Sequence, residues 1–489
     1  MKAPVHATPS RTDAAGQHRA TIVRAARPGA AFLVLGTGQV VLILAITMLS
    51  VALPAIQRYL HLNQTQLVLA SASYGLSFSG LLLLGGRLAD LLGRRRVFVT
   101  GMAVFGVASA VGGLAPGTAA LLGARFAQGA GAALAAPAAM ALIGTVFPDA
   151  RRRAHATAIW GSLASFGATA GIVYSGAFVT WLSWRWIFAL PALVAAVVVL
   201  AARSLIPAGP SPAEGRIDLA GATLATVGLS VLSYGLVAAG NHPWLSAAVA
   251  GPCLAGVGLL VCFAVAESRA AEPLLPLSFL TSPRRIVALW TMLLGAAAMS
   301  TIFFMFSLYF QNAHGRSALW TSASFLPFGL TLIAAGSSMG HLLARWSTRL
   351  VTSAGLLTAA AGLALLGRTD EHSGYAGTVL AGLIVFPLGM AGVFSGGTVA
   401  ATEGVPEERA GLAGGVVNTA MEIGPTVGLA VLASLAATHT GDLLRSGAGH
   451  TAATVGGYSY AFDAAAVLFA VTALVTAIAM RHRTDSVAY

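Results

Sequence analysis

Lysine occurs once in 489 residues, at Lys2, and with it goes any Gly-x-x-x-x-Gly-Lys-Ser/Thr loop that could cradle a nucleotide phosphate. A pump built on such a loop is excluded, so any work must draw on a gradient. Charge of either sign is scarce: 9% of residues are Asp, Glu, Lys or Arg, 57% are hydrophobic, and the mean hydropathy is +0.80. A soluble chain could not hide so much apolar surface, and the composition is that of a polytopic membrane protein. Cysteine is nearly absent too. Cys253 and Cys262 share one apolar stretch and read as small buried hydrophobes, which implies neither a disulfide nor a metal framework. No His-Glu-x-x-His string and no cluster of His and acids gives a membrane enzyme support. No cofactor and no metal is expected.

What is present is a train of apolar windows of about 20 residues, the length that crosses about 30 Å of hydrocarbon. About fourteen can be read, at 30–54, 66–85, 97–115, 118–146, 154–179, 184–205, 218–240, 244–266, 286–310, 318–343, 350–367, 375–401, 410–437 and 458–480. Segment 30–54 is too long and too Leu-rich to be a cleaved signal. Residues 1–28, with Lys2, Arg11, Arg19, Arg24 and Arg27, read as a basic cytosolic tail.

Basic residues fall in alternate loops. With the N-terminus inside, only Arg58, Arg185, Arg316, Arg368 and Arg445 lie outside and Arg125 lies within a helix; the rest face the cytoplasm, which predicts both termini inside. The net charge of +12 is then a set of topology signals facing an anionic leaflet, with no nucleic-acid partner implied. The use of Arg over Lys and the wealth of Ala and Gly hint at a GC-rich genome and fit a bacterial plasma (inner) membrane.

The run Gly86-Arg87-Leu88-Ala89-Asp90-Leu91-Leu92-Gly93-Arg94-Arg95-Arg96 packs four arginines and an aspartate between two apolar segments. It resembles the loop between helices 2 and 3 of the major facilitator superfamily, a large group of secondary transporters. Further strings resemble the fourteen-helix drug:proton antiporter branch. Leu122 to Ala133 carries Arg125-Phe126-Ala127-Gln128-Gly129, similar to the Arg-x-x-Gln-Gly motif of helix 4; Ser183 to Phe188 resembles the start of helix 6; Glu272 to Leu277 resembles the segment before helix 9; Tyr309-Phe310-Gln311 resembles the end of that helix. Gly340 to Arg345, with Arg349, echoes the 86–96 pattern in the second half without its aspartate.

The resemblance implies an all-α polytopic membrane protein of the major facilitator fold with about fourteen transmembrane helices, arranged 6+2+6. Its parts would be the tail 1–28, a six-helix bundle 29–205, a linker 206–275 with two extra helices, a second bundle 276–481 and a tail 482–489. Alternating access would rock the bundles about a midplane cavity.

Arg125 is costly inside a helix, about 2.5–3.5 kcal/mol on insertion scales, and the resemblance gives it a proton-linked role. Glu422, four residues after Asn418 and so on the same helix face, is the acid expected to carry the proton. A carboxyl that pairs with a cationic substrate, or a protonated structural hydrogen-bonder, would read the same. Asp90, at a helix end beside four arginines, would read equally as a solvated topology signal; the resemblance implies that, with Gly86, Gly93, Arg94 and Arg95, it forms a latch controlling closure. Asn418, Phe306, Tyr309 and Gln311 are candidate substrate contacts.

Two strings depart from the family pattern. Ala45 stands where helix 1 usually has an aspartate, and Ser50 where it has an asparagine. In helix 5, Gly171-Ile172-Val173-Tyr174-Ser175-Gly176 has lost the proline and one glycine of Gly-Pro-x-x-Gly-Gly, which predicts a less kinked and less closely packed helix. The expected function is export of small hydrophobic organic compounds, neutral, zwitterionic or anionic rather than multivalent cations, in exchange for protons across the lipid bilayer. An uncoupled facilitator of the same fold, or a non-transporting sensor or scaffold, would also suit the sequence.

Overall fold

The computed structural model describes residues 28–207, 219–239, 242–269, 281–403, 416–417, 419–421 and 423–480. Every regular element among them is a helix. The basic tail to residue 27, the 482–489 tail, the 272–277 string, Asn418 and Glu422 lie outside the described residues.

The first half comprises α1 (Pro28–Leu60), α2 (Gln64–Leu92), α3 (Arg94–Gly113), α4 (Thr118–Val146), α5 (Ala150–Trp181) and α6 (Trp186–Leu205). A hairpin of α7 (Leu219–Ala238) and α8 (Ala247–Arg269) follows. The second half holds α9 (Pro283–Ala313), α10 (Ala318–Arg345), α11 (Thr348–Gly367), α12 (Tyr375–Thr402), α13 (Leu429–Arg445) and α14 (His450–Ala479). Among the described residues ten of these are long and apolar enough to cross a membrane, and the bent α2 makes an eleventh. Helix α13, with 17 residues, falls short by length, and α5 and α7 pack alongside the others.

Local chemistry sets the breaks. Asn63 and Gln66 cap α2 reciprocally, the Asn63 side chain accepting from the Gln66 amide at 2.8 Å and the Gln66 side chain from the Asn63 amide at 3.0 Å. Asp149 accepts from the Arg152 amide at 2.9 Å and starts α5. Helix α10 is interrupted at Phe325, just ahead of Pro327, whose ring has no N–H to give the preceding turn. Helix α14 begins at His450 rather than at 458, because its polar first turns extend past the apolar core that a hydropathy window detects.

The chain turns between α2 and α3 at Gly93, whose φ is +95°. Side chains avoid that conformation, so Gly93→Ala is expected to cost about 1–3 kcal/mol of stability. A lowered midpoint of thermal unfolding in detergent would register it.

Packing repeats from half to half. Helix α1 lies on α5 and α6, α2 on α4, and α3 on α4 and α6; eight helices on, α9 lies on α13 and α14, α10 on α12, and α11 on α12 and α14. Small residues permit the closest approaches in both halves. A Cβ on Gly101 would stand 2.6 Å from the Gly131 carbonyl oxygen, and one on Gly355 would stand 2.7 Å from that of Gly389. The two halves meet along α1 and α5 against α9 and α10, and along α2 against α13.

Candidate functional site

An apolar cavity lies where the halves meet. About 500 Å³ of empty space, part of it open to the outside, is lined by Thr47 of α1, Ala168, Thr169 and Ile172 of α5, Met299 and Phe303 of α9, and Phe325, Leu326, Phe328, Gly329, Leu332 and Ile333 of α10. Two of the lining side chains are polar, Thr47 and Thr169, and none is ionisable. The Thr47 hydroxyl donates to the Ala168 carbonyl at 3.0 Å and so ties α1 to α5. Phe303 rests edge-on against Phe325 and also contacts Phe328, with ring centroids 5.0 and 4.9 Å away. Such a wall offers shape and apolar contact with few fixed hydrogen bonds, which suits a hydrophobic ligand.

The cavity is sealed at the end where α1, α5 and α9 finish. There the Gln311 Nε2 donates to the Val51 carbonyl at 2.9 Å and the Ser322 hydroxyl to the Ile172 carbonyl at 2.6 Å. The Leu319 amide donates to Thr180 Oγ1 at 3.0 Å, and Arg58 reaches Asn312 Oδ1 at 3.4 Å. A Cβ on Gly176 would collide with the Ser322 side chain and lie 2.8 Å from the Ala318 carbonyl oxygen. Helix α5 is therefore packed more closely than its lost proline and glycine predict. Gly167 and Gly171 press on the α1 backbone, within 2.8 Å of Val40 O and 2.7 Å of Leu44 O for an added Cβ, while Gly176 presses on α10.

The predicted substrate contacts do not gather here. Gln311 spans the seal, buried between α9 and α1. Tyr309 directs its hydroxyl at the carbonyls of Asp370 and Ser373, 3.0 and 3.1 Å away, and Phe306 stacks on Phe462 at 5.4 Å inside the second half. Phe306 and Tyr309 border a smaller void between α9, α11 and α14. The cavity residues Thr169, Met299 and Phe325 carry no motif, and Thr47 lies in the helix 1 string, between Ala45 and Ser50, with nothing there to mark it as a cavity residue; a further sequence cue is the Pro327-Phe328-Gly329 interruption in α10.

Arg125 sits in a second constellation. It is 1% exposed, and its Nη1 donates to the Ala45 carbonyl at 3.0 Å and to Gln128 Oε1 at 3.1 Å. Its guanidinium lies over the Tyr74 ring, 4.8 Å from the centroid. Gln128 passes the chain on, donating to the Ser109 hydroxyl at 2.8 Å. The network joins α1, α2, α3 and α4. Among the described residues no carboxylate pairs with Arg125, and its Nε has no hydrogen-bond partner.

At the opposite end of the helices, the 86–96 loop binds its own half. Arg94 pairs with Asp90 at 3.5 Å and donates to the Ala141 carbonyl of α4 at 3.2 Å, while Arg95 donates to the Ile206 carbonyl beyond α6 at 3.1 Å. Gly86 faces Pro137 of α4, 3.8 Å from an added Cβ. Across the second half, Arg284 at the start of α9 pairs with Glu403 after α12 at 2.6 Å.

Residues 35–429 match the sequence profile of the Major Facilitator Superfamily. A puromycin resistance protein of Streptomyces alboniger is 35% identical over 456 residues, covering 92% of this chain and 90% of that protein. A cephamycin export protein of Amycolatopsis lactamdurans is 35% identical over 438 residues, 88% of each chain. Among solved structures, a bacterial homologue of the human lysosomal transporter Spinster, inward-facing and unoccupied, superposes with a TM-score of 0.67 at 15% identity, covering 92% of this chain and 96% of that one.

Proposed function

Because the chain belongs to the major facilitator superfamily, it is a multi-pass membrane transporter, and we propose that it exports hydrophobic organic natural products or drugs in exchange for protons. The observation that carries this reading is the apolar cavity between the two halves, with Thr47 and Thr169 as its polar contacts. The relatives named for puromycin resistance and cephamycin export point to the same class of cargo. The bundles that rock are taken as 29–205 and 276–481, with 206–275 as linker.

The skew of basic residues supports an orientation with both termini in the cytoplasm of the plasma membrane. In that frame the end sealed by Gln311, Ser322 and Gly176 is extracytoplasmic, and the described conformation is closed on that side. The 86–96 loop, with Asp90 and Arg94 paired inside the first half, acts as the cytoplasmic latch when the halves close. Glu422 carries the proton, Arg125 assists, and Asn418 lies near the cargo; Phe306, Tyr309 and Gln311 shape the second half around it.

One observation favours the uncoupled facilitator as second reading. Arg125 meets the backbone of Ala45 where a carboxylate would complete a proton site. Everted vesicles holding the chain, given puromycin and a respiratory substrate, separate the readings. Uptake that stops when the proton gradient is collapsed supports the exporter; uptake that only equilibrates supports the facilitator; no uptake of any relative's compound contradicts both.

A further inference from the structure

Beyond apolar contact, the cavity offers a ligand only the hydroxyls of Thr47 and Thr169 from its lining side chains. The Thr47 hydroxyl is held in one sense. Within reach of its Oγ1 lie the carbonyl oxygens of Leu44 at 3.3 Å and Ala168 at 3.0 Å. A carbonyl only accepts, so the single hydroxyl proton is committed to backbone, and the lone pairs of Oγ1 are what remain for a ligand. Gly171 fixes the oxygen from a further direction. A Cβ built there would collide with Thr47 Oγ1 and lie 2.7 Å from the Leu44 carbonyl oxygen, so the hydroxyl rests on the bare Cα of α5. Thr169 is set otherwise, its Oγ1 turned to α10, 3.2 Å from an added Cβ on Gly329.

Thr47 stands at the closed end of the cavity. One turn of α1 separates it from Val51, whose carbonyl takes the Gln311 seal bond, and the Ile172 carbonyl taken by Ser322 belongs to a lining residue. The buried cation of the first half does not line this space. Arg125 is turned to the Ala45 carbonyl, and at about 100° per residue positions 45 and 47 face nearly opposite sides of α1. Thr47 is thus a fixed, uncharged acceptor among apolar walls.

We propose that Thr47 selects the cargo, and that it selects neutral apolar compounds carrying a hydrogen-bond donor, a hydroxyl or an amide N–H, which lies at the closed end and donates to Thr47 Oγ1. An ion placed there would be stripped of water with no opposite charge to meet. An ether or ketone of the same shape would set its lone pairs against those of Thr47 and leave both unanswered. A donor exchanges its bond to water for a bond to an acceptor already in place. This inference narrows the cargo class of the exporter reading and rests on it.

The test compares 1-naphthol, uncharged at neutral pH with one O–H donor, and 1-methoxynaphthalene, the same rings without it. Binding of each to the purified full chain in detergent is measured by isothermal titration, with puromycin uptake in everted vesicles alongside. Thr47→Val keeps the shape of the side chain and removes the oxygen. The preference for naphthol over its methyl ether is expected to fall about fivefold to tenfold in Thr47→Val, because naphthol binding weakens while the ether's does not; Thr47→Ser is expected to keep the native preference. Partition into detergent is common to all samples and cancels in the comparison. Should valine prevent folding, Thr47→Ala removes the same oxygen and is read by the same ratio. An unchanged preference in Thr47→Val, or an equal loss of both compounds, would make Thr47 a tie between α1 and α5 and overturn the proposal, as would a native chain that binds neither. Thr47-dependent naphthol binding in a chain that moves no puromycin would overturn the exporter reading while upholding Thr47 as the ligand's acceptor.

Discussion

Gly176→Val reduces export to background, at least about a hundredfold, while the chain still inserts and folds. Position 176 faces α10 only where the two halves touch, so a branched side chain there leaves each half intact and keeps them apart. An added Cβ already meets the Ser322 side chain and lies 2.8 Å from the Ala318 carbonyl oxygen. The hydroxyl can turn away, but the carbonyl belongs to a buried helix end and cannot. The bond from Ser322 to the Ile172 carbonyl and that from the Leu319 amide to Thr180 would be lost together. Thiol labelling from the sealed side of a cysteine at Thr47 should rise with the valine. Gly176→Ala combined with Ser322→Gly should recover part of the transport, since one of the two collisions is then gone. Normal export by the valine variant would mean that this seal never forms in the working cycle.

Arg125→Met is expected to lose transport on the order of a hundredfold with no loss of stability. Burying a guanidinium without a carboxylate is unfavourable, and the described residues supply Arg125 only neutral oxygens and the Tyr74 ring. Methionine fills similar length with no charge. The Ala45 carbonyl belongs to the middle of α1 and keeps its helical donor, so only Gln128 Oε1 is left short of a partner. The expected midpoint of thermal unfolding in detergent is therefore equal to or above that of the native chain. A variant that transports normally would make Arg125 a structural tie between α1 and α4; one that unfolds readily would show that the network is worth more than the desolvation it costs.

Much of the fold is legible in the sequence because a bilayer imposes a length rule that hydropathy can read. The breaks at Asn63, Gly93 and Asp149 are equally plain, since each has a residue type suited to its cap or turn. The cavity is another matter. Helix α9 is buried on nearly every side from Leu294 to Gln311, so its apolar residues carry no periodicity to say which face looks at the cavity. The aromatic run from Phe303 through Phe304, Phe306, Tyr309 and Phe310 to Gln311 offers several candidates for a cavity wall, and of these Phe303 is the one that faces the empty space. The close packing of α5 is hidden for a related reason. A motif with its proline replaced suggests a looser helix, but Gly167, Gly171 and Gly176 alone decide how near α1 and α10 can come. The placement of α7 between α2 and the second half has no sequence signal at all, because Leu229 contacts residues more than 150 positions apart in the chain.

Proton exchange through Glu422 is the claim on which the transport reading turns, and one measurement addresses it most directly. Internal pH is followed in proteoliposomes as puromycin is added, with the native chain and Glu422→Gln side by side. Proton movement that requires both the compound and the carboxyl is the predicted result. Compound movement without proton flux, or a glutamine variant that behaves as the native chain does, would contradict coupled export and leave a facilitator.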